Sequence, residues 1–122
     1  MTTTASVLIV EDDADVRELL RRRFTNLGYR AVAVASGEAG LAALEQRPPC
    51  LAVVDLGLPG ISGWEFISRF RERTAGTVPV CIVSALDPPP DGERPHVEGY
   101  VTKPLKARYI EHMVKFIDKG ER

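Results

Sequence analysis

The chain has 122 residues, 44% of them apolar and 27% charged, so it falls within the size of one globular domain and can bury roughly two-thirds of its unfolded surface. A formal net charge of −1 supplies no broad basic field, which argues against nucleic acid or an anionic membrane as a direct target. No apolar run approaches the ~18 residues of a membrane span, and the start MTTTAS lacks the pattern of a secretory signal, so a cytoplasmic location is expected.

In chain order, Ser6 to Val10 is a continuous apolar run, the mark of a strand buried on both faces. The acids Glu11, Asp12 and Asp13 follow it, then Val16, Leu19, Leu20, Phe24 and Leu27 at helical spacing, with Gly28 where a helix would end. Asp13 is expected to cap that helix and Asp15 to favour its first turn. Ala31 to Ala35 reads as a second strand, and Ser36 as the cap of a helix carrying Leu41, Ala42 and Leu44 that Pro48 and Pro49 stop. Leu51 to Leu56 is a third buried strand containing Asp55, and Gly57 to Gly63 is a loop bearing glycine and proline. Ser62 and Glu65 have capping-box spacing before Phe66, Ile67 and Phe70. Val78 to Val83 is strand four, Tyr100 to Thr102 a short strand five, and Lys106 to Lys119 the closing helix. Cys50 and Cys81 stand alone in apolar runs and read as buried thiols, whereas His96 and His112 lack partners at ligand spacing and are expected at the surface.

Strands alternate with helices and each strand is solidly apolar, which predicts an α/β fold with a parallel sheet covered on both faces. In such sheets the polar groups at the carboxyl ends of the strands gather into one site. Those groups are Glu11 and Asp12 after strand one, Asp55 after strand three, Ser84 after strand four and Lys103 after strand five. Bringing three carboxylates together costs on the order of 4 kcal/mol per pair at an effective dielectric of 20. A cation relieves that repulsion, and hard oxygens with open positions suit Mg2+. A carboxylate nucleophile, a metal, a lysine and a hydroxyl suffice for phosphoryl transfer.

The motifs VLIVEDD, VVDLGLPGISG, IVSA and GYVTKP, spread along nearly the whole chain, resemble the bacterial two-component response-regulator receiver domain, of the chemotaxis-regulator kind. The resemblance implies a flavodoxin-like doubly wound sheet of five parallel strands in the order 2-1-3-4-5 and one receiver domain over 1–122, with its core at about 6–119. It also implies that Asp55 accepts a phosphoryl group from a histidine kinase or phosphotransfer protein. Glu11, Asp12, Asp55 and the backbone carbonyl of Gly57 would hold Mg2+. Ser84 would be the switch hydroxyl, Lys103 the lysine, Tyr100 the switch aromatic, and Pro104 a residue that commonly follows a cis peptide bond. Such a protein is a phosphoacceptor that assists its own phosphorylation, not an enzyme with a separate substrate.

Two departures from the family stand out. Pro88, Pro89, Pro90 and Pro95 make the stretch between Leu86 and Val97 a poor helix, so the helix that the family places between strands four and five is expected to be short, displaced or absent. Gly57 and Leu86 lack the polar side chains that orient an attacking water in some relatives, which predicts slow loss of phosphate. A dehalogenase-type phosphatase would need a second acid where Gly57 stands, and a pseudo-receiver would lack an acid or the lysine. A relay intermediate and a fragment of a longer regulator or hybrid kinase remain alternatives. Tyr109, Ile110, Met113, Val114, Phe116 and Ile117 cover a stripe about 160° wide on the closing helix, which assigns Tyr109, Met113 and Phe116 to a partner or dimer surface.

Overall fold

Alternation along each strand explains why the apolar runs are solid. In a computed structural model that describes residues 5–45, 47–85 and 97–120, the strands β1 (Ser6–Val10), β2 (Arg30–Val34), β3 (Leu51–Val54), β4 (Val80–Ser84) and β5 (Gly99–Thr102) form one parallel sheet ordered β2-β1-β3-β4-β5. Successive side chains point to opposite faces. Val7, Ile9, Leu51, Val53, Cys81, Val83 and Val101 therefore fill one core with α1 (Ala14–Asn26) and α4 (Ala107–Gly120). Leu8, Val10, Ala52, Val54, Val80 and Ile82 fill a second with α2 (Gly37–Ala43) and α3 (Gly63–Arg73). Phe24 and Leu20 from α1 anchor the first core, and Phe66, Ile67 and Phe70 from α3 anchor the second. The fold class and strand order are as expected from the sequence.

Local capping chemistry sets the helix starts. The Asp13 carboxylate accepts from the amides of Asp15 at 2.9 Å and Val16 at 3.2 Å. Ser36 and Ser62 accept from Ala39 and Glu65 at 3.2 and 3.1 Å. Each bond satisfies a donor that the first helical turn leaves open. Gly28, at φ 96°, carries the chain from α1 toward β2 in a conformation that side-chain-bearing residues rarely adopt. Helix α2 ends before Pro48 and Pro49, because the amides of Leu44 and Glu45 bond back to Leu41 and Ala42 and tighten the last turn. Both cysteines are free: Cys81 is buried, and burial together with the charge of Glu98 pushes its thiol up to about 12.

Two expectations are corrected. Met113 is not a surface residue: it is fully buried between Ile110 and Ile117, which form the i, i+3, i+7 stripe that faces the sheet. Tyr109 and Phe116 are half-buried at the margins of that stripe, and Phe116 lies against Gly99, where an added Cβ would come within 2.7 Å of its ring. Along α1, Leu20 and Phe24 are inward, but Leu19 and Leu27 are 39% and 48% exposed despite their helical spacing. The segment 86–96, with the proline-rich stretch, Leu86 and His96, lies outside the described residues.

Candidate functional site

Glu11, Asp55 and Lys103 each sit one residue beyond the end of a strand, and Asp12 two. The amide of Asp55 still donates to Val10 O at 2.9 Å, and that of Glu11 to Val34 O at 3.0 Å, so both residues extend the sheet register into the loops. Lys103 does the same after β5, its amide donating to Ser84 O at 2.8 Å. Parallel register places these ends side by side at one edge of the sheet, as the rule for open α/β sheets requires. Gly63 lets the loop after Asp55 close tightly, because a Cβ there would lie 2.6 Å from the Asp55 carbonyl and from the Leu56 Cα.

Glu11, Asp12 and Asp55 each present a carboxylate oxygen, all within 4.8 Å of one another. Glu11 is 1% exposed and Asp55 8%, whereas Asp12 is exposed at the rim. The Lys103 ammonium lies 2.8 Å from Glu11 Oε1 and 3.4 Å from Asp55 Oδ2. Backbone amides take further lone pairs: Gly57 donates to Asp55 Oδ1 at 3.1 Å, and Asp13 to Glu11 Oε2 at 3.2 Å. Glu11 Oε1 is buried and has the ion pair with Lys103 but no aligned hydrogen bond. Among the described residues, one ammonium against three carboxylates leaves the cluster short of positive charge.

That shortage appears in the protonation equilibria. Burial, with Asp55 hydrogen-bonded beside it, raises Glu11 from 4.5 to about 7 against the opposing pull of Lys103 and the Asp13 amide. Burial works to lower the pKa of Lys103, but its contacts with Glu11 and Asp55 outweigh burial and raise it. An under-neutralised set of carboxylate oxygens with a buried, poorly bonded member fits a hard divalent cation.

Ser84 is buried at the end of β4, paired in register with Thr102 of β5, and Tyr100 is half-buried against the α3 side of the core. The Lys103–Pro104 peptide bond is cis. Gly57 is exposed beside the Asp55 carboxylate, and an added Cβ there would meet only Asp55 Oδ1, at 3.9 Å. Asp13 stands at the helix cap and not among the clustered acids.

Sequence reasoning overlooked Arg17. Its Nη1 donates to the carbonyl of Glu11 at 3.0 Å and to that of Asp12 at 3.3 Å. The signal available was its position, one turn beyond the Asp13 cap, because helical side chains lean toward the N-terminus and reach back over the loop they follow.

A five-stranded parallel sheet in this order, with an acidic pocket and a lysine at its carboxyl edge, defines the class of α/β signalling receivers. The model of the response regulator receiver domain matches residues 7–115, and the chain belongs to that family of phosphorylation-activated switches in two-component signalling. It is 34% identical over 121 residues to the transcriptional regulatory protein AfsQ1 of Streptomyces coelicolor, covering 96% of this chain and 53% of that protein. It is 37% identical over 108 residues to the sensory transduction protein RegX3 of Mycobacterium tuberculosis, covering 86% of this chain and 47% of that one. The chain thus spans about half the length of these curated relatives. Its fold is shared by a CheY-like receiver domain protein from Methanospirillum hungatei, with a TM-score of 0.86 at 22% identity over 98% of both chains. Among the described residues, no helix is long and apolar enough to cross a membrane.

Proposed function

We propose that Asp55 is the phosphoacceptor of this receiver domain. An oxygen of its carboxylate attacks the phosphorus of a phosphohistidine on a kinase or phosphotransfer protein. The phosphorus–nitrogen bond breaks, the imidazole leaves with the bonding electron pair, and an aspartyl phosphate remains. The observation that carries this reading is the convergence of Glu11, Asp12 and Asp55 within 4.8 Å, with the Lys103 ammonium 3.4 Å from the Asp55 carboxylate.

Glu11, Asp12, Asp55 and the Gly57 carbonyl would hold Mg2+, which when bound supplies charge neutralisation to the transferring phosphoryl group. Lys103 has only to follow its existing partner, Asp55, to pair with the added phosphate charge of about −1.5 to −2. The Ser84 hydroxyl donates to a phosphoryl oxygen, and Tyr100, on the strand beside it, reports the change toward the sheet edge. The residues 1–122 act as one cytoplasmic receiver domain, a phosphoacceptor with no separate substrate turnover. Tyr109 and Phe116, half-buried on α4, are the residues proposed for contact with an output protein or dimer mate.

The test is incubation with acetyl phosphate and Mg2+ followed by intact mass, on the wild type and on Asp55→Ala. One phosphoryl adduct on the wild type and none on the variant is the expected result. An adduct that persists in Asp55→Ala would place the acceptor elsewhere.

A further inference from the structure

The first turn of α1 contains a cation that local helix physics does not explain. Arg17 lies near the N-terminal end of α1, where the helix dipole disfavours positive charge. Its partners account for its place. Among the described residues Arg17 forms no ion pair, and its polar contacts are with two backbone carbonyls, those of Glu11 at 3.0 Å and Asp12 at 3.3 Å. The guanidinium therefore grips the peptide planes of the loop between β1 and α1 and not the carboxylates that the loop carries.

Those peptide planes set where the carboxylates go. Glu11 is held on its other side by its amide bond to Val34 O, and its Oε2 accepts from the amide of Asp13. Asp12, exposed at the rim, has no comparable side-chain anchor among the described residues, so its approach to Glu11 and Asp55 depends on its backbone. We propose that Arg17 is a positioning residue for the acidic cluster: by holding the carbonyls of Glu11 and Asp12 it orients both carboxylates toward a divalent cation. The inference rests on the reading of that cluster as the Mg2+ site.

Two accounts of Arg17 make opposite predictions. As a bystander charge it would repel the metal, and its removal would tighten Mg2+ binding. As a positioning residue it supports the ligands, and its removal loosens binding about 10-fold or more, as losses of partners that orient metal ligands do. Calorimetric titration of Mg2+ into the wild type, Arg17→Met, Arg17→Lys and Asp12→Ala separates the two. The expected order of affinity is wild type, then Arg17→Lys, which keeps a donor, then Arg17→Met. Hydrogen exchange in the metal-free protein gives an independent readout: the Asp13 amide exchanges faster in Arg17→Met, with the interior amides of β1 and β3 unchanged. Mg2+ binding by Arg17→Met equal to or tighter than wild type would overturn the inference, provided that Asp12→Ala loses binding. Failure of the wild type itself to bind Mg2+ would instead remove the metal-site reading, and this inference with it.

Discussion

Two polar clusters lie at opposite ends of the same sheet, and they are built on opposite terms. At the amino end of β4, Glu98 Oε1 accepts from Arg71 Nη2 and from the Val80 amide, each at 2.7 Å. Acid and base pair directly and both side chains are mostly shielded, at 27% and 19% exposure, although Arg71 Nε is buried without a hydrogen bond. At the carboxyl end, three carboxylates lie together, the Lys103 ammonium pairs with two of them, and Glu11 Oε1 is buried without an aligned hydrogen bond. Balanced charge stabilises the fold, whereas unbalanced charge stores electrostatic repulsion that a ligand can relieve. The two clusters differ in charge: a directly paired acid and base at one end, an excess of carboxylates at the other.

Substitutions should break the two clusters in opposite directions. The largest effect is expected at Gly63, where an alanine Cβ would press on the backbone of Asp55 and Leu56. Gly63→Ala should cost about 3 kcal/mol in urea unfolding and depress phosphorylation with it. Next, Arg71→Met should cost about 2 kcal/mol, since it removes a 2.7 Å ion pair with the partly buried Glu98 carboxylate.

The pocket should show itself in the pH dependence of stability with metal chelated. Glu11 has a folded pKa of about 7 against 4.5 ordinarily, so the native state holds its proton where the unfolded chain has released it. Its contribution is full below pH 4.5 and is lost as pH rises through 7. Lys103 is raised as well, but its contribution is lost only above its ordinary 10.5, outside that window. Unfolding free energy should therefore fall with rising pH across this interval, by on the order of 2 kcal/mol. A flat profile from the same urea titrations would show that the carboxylates are less crowded than the geometry implies.

Smaller effects sharpen the contrast. Asp55→Asn removes one charge from the crowded end and should stabilise the metal-free protein by about 1 kcal/mol while abolishing the phosphoryl adduct, a sign opposite to that of Arg71→Met. Gly57→Asn should leave stability within about 0.5 kcal/mol, because the position is exposed and a Cβ there has room. The asparagine side chain would reach the water near the acceptor and shorten the phosphate lifetime, measured as decay of the adduct by intact mass. An unchanged lifetime would count against the expectation that Gly57 makes dephosphorylation slow.

Periodicity, caps and turn residues are local, so strand and helix positions, the Asp13, Ser36 and Ser62 caps and the acids after β1 and β3 were legible from the chain alone. The convergence of Glu11, Asp12, Asp55 and Lys103 was legible too, because strands of a parallel sheet send their carboxyl ends to one edge. Tertiary packing decided what local pattern leaves open. A helix with a broad apolar stripe can rotate about its axis, and only the sheet beneath α4 placed Met113 inside it. On α1 the same freedom left Leu19 and Leu27 largely outside the core. The reach of Arg17 to two carbonyls and the 2.8 Å meeting of Lys103 with Glu11 depend on how distant segments dock, which no local pattern encodes.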